Sequence, residues 1–189
     1  MSSTSRLVLK NGLLLIGIWG AVSYSAPPLR LAYVPFAGEW LSTFPSTFAL
    51  GLGGAWLLLG SLPEWALQNA WVNAMYCIAW VMVHHIPDLE ADRNASPVKR
   101  TSVVWAAERF GIAFARLPGL LYFAVIGASS VWLAASGRFV GAAGVLIASA
   151  LSIYWLAKAD MQDAASVTSC EKKMLLTAIL LAVWLGIFH

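Results

Sequence analysis

Long apolar runs separated by a few polar islands are what most limit the structures open to this chain. The runs cover about Leu13–Val22, Ser46–Leu62, Leu67–Ile86, Ile112–Ala135, Phe139–Ala157 and Met174–Phe188, and 60% of all residues are hydrophobic. Only 11% are charged, where an ordinary soluble domain has about 25%. Runs of this length with so few charges predict membrane helices. A backbone in hydrocarbon must bond internally, and the runs are too long and too little alternating for barrel strands. The expectation is an all-α, polytopic transmembrane bundle of about six helices, one membrane domain over residues 1–189.

Taken in order, the first helix is expected at Val8–Ser23 and stops at Ala26-Pro27-Pro28, where neither proline has an amide proton to give. Arg6 and Lys10 ahead of the first run outline a signal peptide, but the Pro-Pro pair after Ser25-Ala26 argues against cleavage, so a membrane helix is the reading. The second helix carries glycines at 51, 53, 54 and 60, small residues that would let another helix approach closely. Pro63-Glu64-Trp65 reads as a brief turn, and Asn69, Asn73, His84 and His85 interrupt the third helix. The expected connections are 24–45, 88–111 and 158–173. Ser136-Gly137-Arg138 joins the fourth and fifth helices. If the three connections share a side, that side, counted through Arg116, holds nine Lys/Arg against three, and eight of the nine acids. The positive-inside rule then makes it cytoplasmic and places the chain in the cell (inner) membrane.

Net charge of +3 is too small and too dispersed for nucleic-acid binding. Cys77 in an apolar run and Cys170 in a polar segment make no disulfide framework.

The densest island is His84–Thr101, which holds Asp88, Glu90, Asp92, Arg93, Lys99 and Arg100. If the third helix continued through it, Asp88 and Asp92 would lie on one face, one turn apart. Hard carboxylate oxygens facing a phosphate are what Mg²⁺ uses, with Lys99 and Arg100 near enough to meet the same phosphates. A solvated loop matches the same residues, as it does Asp160 and Asp163 further on. His84 and His85 lack soft ligands nearby and read as helix-end histidines in hydrogen bonds.

Ile86-Pro-Asp-Leu-Glu-Ala-Asp-Arg93, followed by Lys99-Arg-Thr101 and Gly111, resembles the second aspartate-rich motif of the UbiA-type membrane prenyltransferases. Tyr24-Ser-Ala-Pro-Pro-Leu-Arg30 resembles the signature of an earlier cytoplasmic loop in that family. The resemblance spans the family's last six helices. It implies Mg²⁺-dependent transfer of a prenyl group from a prenyl diphosphate to a hydrophobic acceptor within the membrane lipid. Asp88 and Asp92 would then ligate the metal, Arg30, Lys99 and Arg100 would hold diphosphate, and Tyr24 and Asn73 would line the site. Two departures stand out. No acid precedes Glu39, so the family's first aspartate motif is lacking, which implies missing N-terminal helices, a protein partner supplying them, or a non-catalytic isoprenoid-binding or structural membrane protein. The turn after Asp92 reads Asn94-Ala-Ser-Pro97, with Asn94 expected in left-handed geometry in place of glycine.

Overall fold

The computed structural model describes residues 3–189, with the side chains of Arg6 and Lys10 outside the described set. The α-helices are α1 (Ser3–Ser25), α2 (Phe44–Leu59), α3 (Glu64–His84), α4 (Leu89–Asn94), α5 (Ser102–Phe110), α6 (Leu117–Ala135), α7 (Phe139–Lys158) and α8 (Ala164–Ile187). Short 3₁₀ turns at Leu31–Tyr33 and Ile112–Arg116 and a π-helical turn at Gly38–Thr43 join them.

The middle of the bundle is α3, which packs on α2, α6 and α8. Its sequence explains the position: residues with little or no exposure, from Ala66 and Val72 to Tyr76, Ile78, Met82 and Val83, lie all round the helix, and a helix apolar on every side is stable only when surrounded. Its polar side chains are tied internally. Tyr76 Oη lies 2.6 Å from Ser152 Oγ, and Trp71 Nε1 donates to Ser129 Oγ at 3.0 Å.

Charge is gathered at the far end of α3 too. Arg138, in the α6–α7 turn, donates to Gln68 Oε1 at 2.7 Å and Asn69 Oδ1 at 3.0 Å, and reaches Phe188 O at 3.3 Å. One guanidinium thus satisfies carbonyl oxygens that the end of α8 leaves without helical partners. Glu64 Oε1 accepts from Trp132 Nε1 at 3.0 Å and Ser136 Oγ at 2.8 Å, fastening the start of α3 to the end of α6.

The expectation of six membrane spans is corrected. Among the described residues two helices are long and apolar enough to cross a membrane, Ile112–Ala135 and Phe139–Lys158. The others fall short for separate reasons: α2 has 16 residues, α3 carries Glu64, Gln68, Asn69 and Asn73 within its length, and α8 starts at Ala164, so Glu171, Lys172 and Lys173 lie inside the helix and not before it. A six-span polytopic bundle, and with it residence in the cell membrane with cytoplasmic loops, is therefore not supported; all-α stands. Outward faces are nonetheless apolar in places, with Leu58 87% and Leu50 75% exposed.

Helix ends also move. Pro63 caps α3, which begins at Glu64 where a turn was expected. Asn94 is the last residue of α4, and the following turn contains a cis Ser96–Pro97 peptide in place of a left-handed asparagine.

Of the four glycines expected to pack α2, one does so: a Cβ on Gly51 would sit 3.1 Å from the Ala70 methyl, whereas Gly53 and Gly54 face open space and Gly60 is a left-handed cap with φ 66°. A close approach against backbone is at Gly20 on α1, where a Cβ would lie 2.6 Å from Ser42 O and from Ser46 Cβ. Ser42 Oγ donates to Gly20 O at 2.6 Å and seals the crossing. Gly20→Val should therefore cost about 2–3 kcal/mol by overpacking against backbone. Gly53→Ala should be neutral or stabilise by about 0.5–1 kcal/mol, and thermal unfolding of the two variants checks the contrast. Arg138→Met should cost about 2–3 kcal/mol through the stranded carbonyl and amide oxygens, read from the same midpoints.

Candidate functional site

The end of α1, the start of α2 and the end of α3 frame an open cavity of about 430 Å³, whose wall includes Tyr24, Ser46, His84, His85, Asp88 and Lys99. Tyr24 reaches it from the last turn of α1, which the Ala26-Pro27-Pro28 sequence brings to an end. The chain that follows is fixed against α5. Phe36 N donates to Ser102 Oγ at 2.7 Å and the Phe36 ring meets Trp105 edge-on at 5.3 Å. Arg30 and Phe36 hold left-handed backbone at φ 43° and 65°, about 1–2 kcal/mol each for a residue with a Cβ.

His85 caps the C-terminus of α3 and its ring is 6% exposed. Nε2 lies 3.0 Å from Tyr24 Oη. Nδ1 lies 3.8 Å from Asp92 Oδ2, too long for a hydrogen bond. Asp92 is inside α4 at 7% exposure, and its other oxygen accepts from Lys99 Nζ at 3.1 Å. Lys99 is tied twice, since its backbone N–H donates to Asp92 O at 3.0 Å. Thr101 then caps α5 by accepting from Val104 N at 3.2 Å.

Burial sets the protonation states. It pushes the Tyr24 phenol up to about 12, helped by the Glu39 and Asp92 charges. It pushes the His85 imidazole down to about 3, with the Lys99 and His84 charges acting the same way. At neutral pH the phenol keeps its proton and the ring is neutral. Because Asp92 offers Nδ1 a carboxylate, the consistent assignment has Tyr24 O–H donating to Nε2 and the ring proton on Nδ1. For Asp92 itself burial raises the pKa against the lowering by Lys99.

The residues expected to form a diphosphate cradle do not converge. Arg100 points outward to Glu108 at 3.1 Å, and Arg30 lies over the Tyr33 ring at 5.7 Å. Asn73 is half-buried on α3, eleven residues before His84 and so about 16 Å away along the axis. Asp88 and Asp92 sit one turn apart on α4, with Asp92 N donating to Asp88 O at 2.8 Å, but they differ in environment: Asp88 is exposed at the cavity and Asp92 is committed to Lys99. The described residues gather no group of three or more His, Cys, Asp or Glu suited to a metal ion. Asp163 is an N-cap, accepting from Ala165 N and Ser166 N at the start of α8. His84 Nδ1 lies 2.9 Å from Glu171 Oε1, a helix-end contact of the expected kind.

Glu39 was not among the expected site residues, yet it is 4% exposed and stands behind Tyr24 and His85. The signal available was its isolation, a single acid in an otherwise apolar and aromatic stretch, since a carboxylate there must be partnered or neutralised.

Lys99→Met would strand the Asp92 carboxylate. A carboxyl with its folded pKa above the unfolded value favours folding below the unfolded value and loses that support as pH rises through the folded one. The variant should thus lose about 3 kcal/mol at neutral pH, shrinking as pH falls toward the carboxylate range. Chemical unfolding at neutral and acidic pH checks this.

No protein-family model matches this chain, and neither a curated protein nor a solved structure matches it. The resemblance to UbiA-type prenyltransferases is therefore not supported beyond two short motifs. With two candidate spans in place of six and no gathered metal-ligand cluster among the described residues, neither Mg²⁺-dependent prenyl transfer nor a membrane isoprenoid-binding role follows from this fold.

Proposed function

We propose that the chain binds an amphipathic small molecule with a cationic head, such as a primary amine on an apolar body. The observation that carries this is the charge of the cavity wall. Lys99 is neutralised by Asp92, His84 is paired with Glu171, His85 is neutral, and Asp88 has no ion-pair partner among the described residues. The wall is net negative and offers acceptors to an ammonium group.

An apolar cavity of about 640 Å³ between α1 and α2 adjoins it, sharing Ala21 and Ser46. Gly17, Gly53 and Gly54 line it without side chains, and Leu14, Leu50 and Leu57 supply the remaining wall. An apolar body lying there gains about 0.8 kcal/mol per buried methylene, while the head stays at Asp88.

Titrating the chain with hexylammonium and hexanoate, followed by tryptophan fluorescence, tests the reading, since Trp56 lines the apolar cavity. Hexylammonium should bind roughly tenfold or more tightly than hexanoate, as one charged hydrogen bond supplies about 1.5–3 kcal/mol. Asp88→Asn should remove that preference. Equal or tighter binding of hexanoate would refute the reading. Mg²⁺ added as a competitor tests whether Asp88 also takes the ion expected from the sequence.

A further inference from the structure

Behind the Tyr24–His85 pair is a small chamber of about 10 Å³, lined by Tyr24, Gly38, Glu39, Thr43, His85 and Thr101 among others, about the room one water needs. Tyr24, Thr43, Val81 and His85 line both this chamber and the open cavity, so one layer of side chains separates the two. Glu39 Oε1 is buried without a hydrogen-bond partner, as is Tyr122 Oη. Of these two, Glu39 lines the chamber, and an unpartnered buried oxygen beside a water-sized space is the usual setting of an internal water.

We propose that Glu39 is a proton-binding site coupled to the ligand cavity, so that a cation bound beside Asp88 drives release of one proton from Glu39. This rests on the cationic-ligand reading above. The step balances simply: the O–H bond of the Glu39 carboxyl breaks, one proton appears in solvent, and the negative charge left on the carboxylate faces the incoming positive charge across the Tyr24–His85 wall.

The groups facing Glu39 give it no full positive charge. They are the neutral phenols Tyr24 from α1 and Tyr122 from α6, neutral His85 after α3, and the hydroxyls of Thr101 and Ser102 before α5; the Cys77 thiol of α3 lies beyond Tyr24. Burial pushes the carboxyl up, and the Ser102 hydroxyl offsets part of this. Lys99 is held beyond His85 by Asp92. A cation in the cavity would therefore be the nearest uncompensated positive charge. Linkage requires the converse, that ionising Glu39 tightens cation binding.

Infrared titration of the ligand-free chain should show a protonated carboxylic acid band persisting above the ordinary carboxylate range. Glu39→Gln should lack that band, and Glu39→Asp should restore one if the glutamine variant fails to fold. Below the band's midpoint, hexylammonium affinity should rise by up to about tenfold per pH unit, and calorimetry in buffers of different ionisation enthalpy should show up to one proton released, absent in Glu39→Gln. Asp88→Asn, without ligand, should move the midpoint down, because it removes a negative charge that opposes ionisation. Absence of the band overturns the inference, as does binding without proton release. Should hexylammonium not bind at all, the ligand reading fails by itself, and an Asp88→Asn midpoint that stays put overturns the coupling.

Discussion

The buried carboxylate of Asp92 is what the polar end of this molecule depends on. A charge at that depth is tolerable only with a partner and hydrogen bonds. Lys99 supplies the charge through its side chain and a second tie through its backbone. The double tie folds the segment between α4 and α5 back on itself, which delivers Thr101 as the cap of α5. It also neutralises the lysine of the cavity wall.

The other end is built on the same physics with different parts. Arg138 stands among carbonyl and amide oxygens of α3 and α8, and burial presses its pKa down from the ordinary arginine value. Between the two polar ends, α3 is surrounded by apolar side chains and held by neutral hydroxyl and indole contacts. Charge is placed where helices terminate and backbone groups need partners, and kept out of the helix-packed middle.

What the sequence disclosed followed from how local the cause was. Apolar runs and the Pro-Pro stop located α1, α2, α3, α6 and α7 to within a few residues, because periodicity and missing amide protons act on the nearest turn. Clustering of Asp88, Asp92 and Lys99 was legible as one charged island, whereas Tyr24 was placed beside them only by the resemblance to a prenyltransferase motif. The number of helices long and apolar enough to cross a membrane was not legible, because it turned on helix ends: α2 stops at Leu59, and α8 begins at Ala164 and so takes in Glu171, Lys172 and Lys173. Nor was the fate of the basic residues legible: Arg100 next to Lys99 reads as a second phosphate ligand, and only the direction of α5 sends it outward to Glu108. Gly20 was missed because its importance lies in Ser42 and Ser46 on another helix.

The π-helical turn at Gly38–Thr43 bears on how this chain could vary. A π turn holds about one residue more than an α turn, and it runs directly into α2. Loss of one residue there would let the turn relax to α geometry and swing the residues before it by about 100° relative to α2. Glu39 would leave its chamber although every side chain around the chamber was unchanged. Insertions and deletions at this junction are therefore expected to displace the buried carboxylate, even though the stretch reads as a connection.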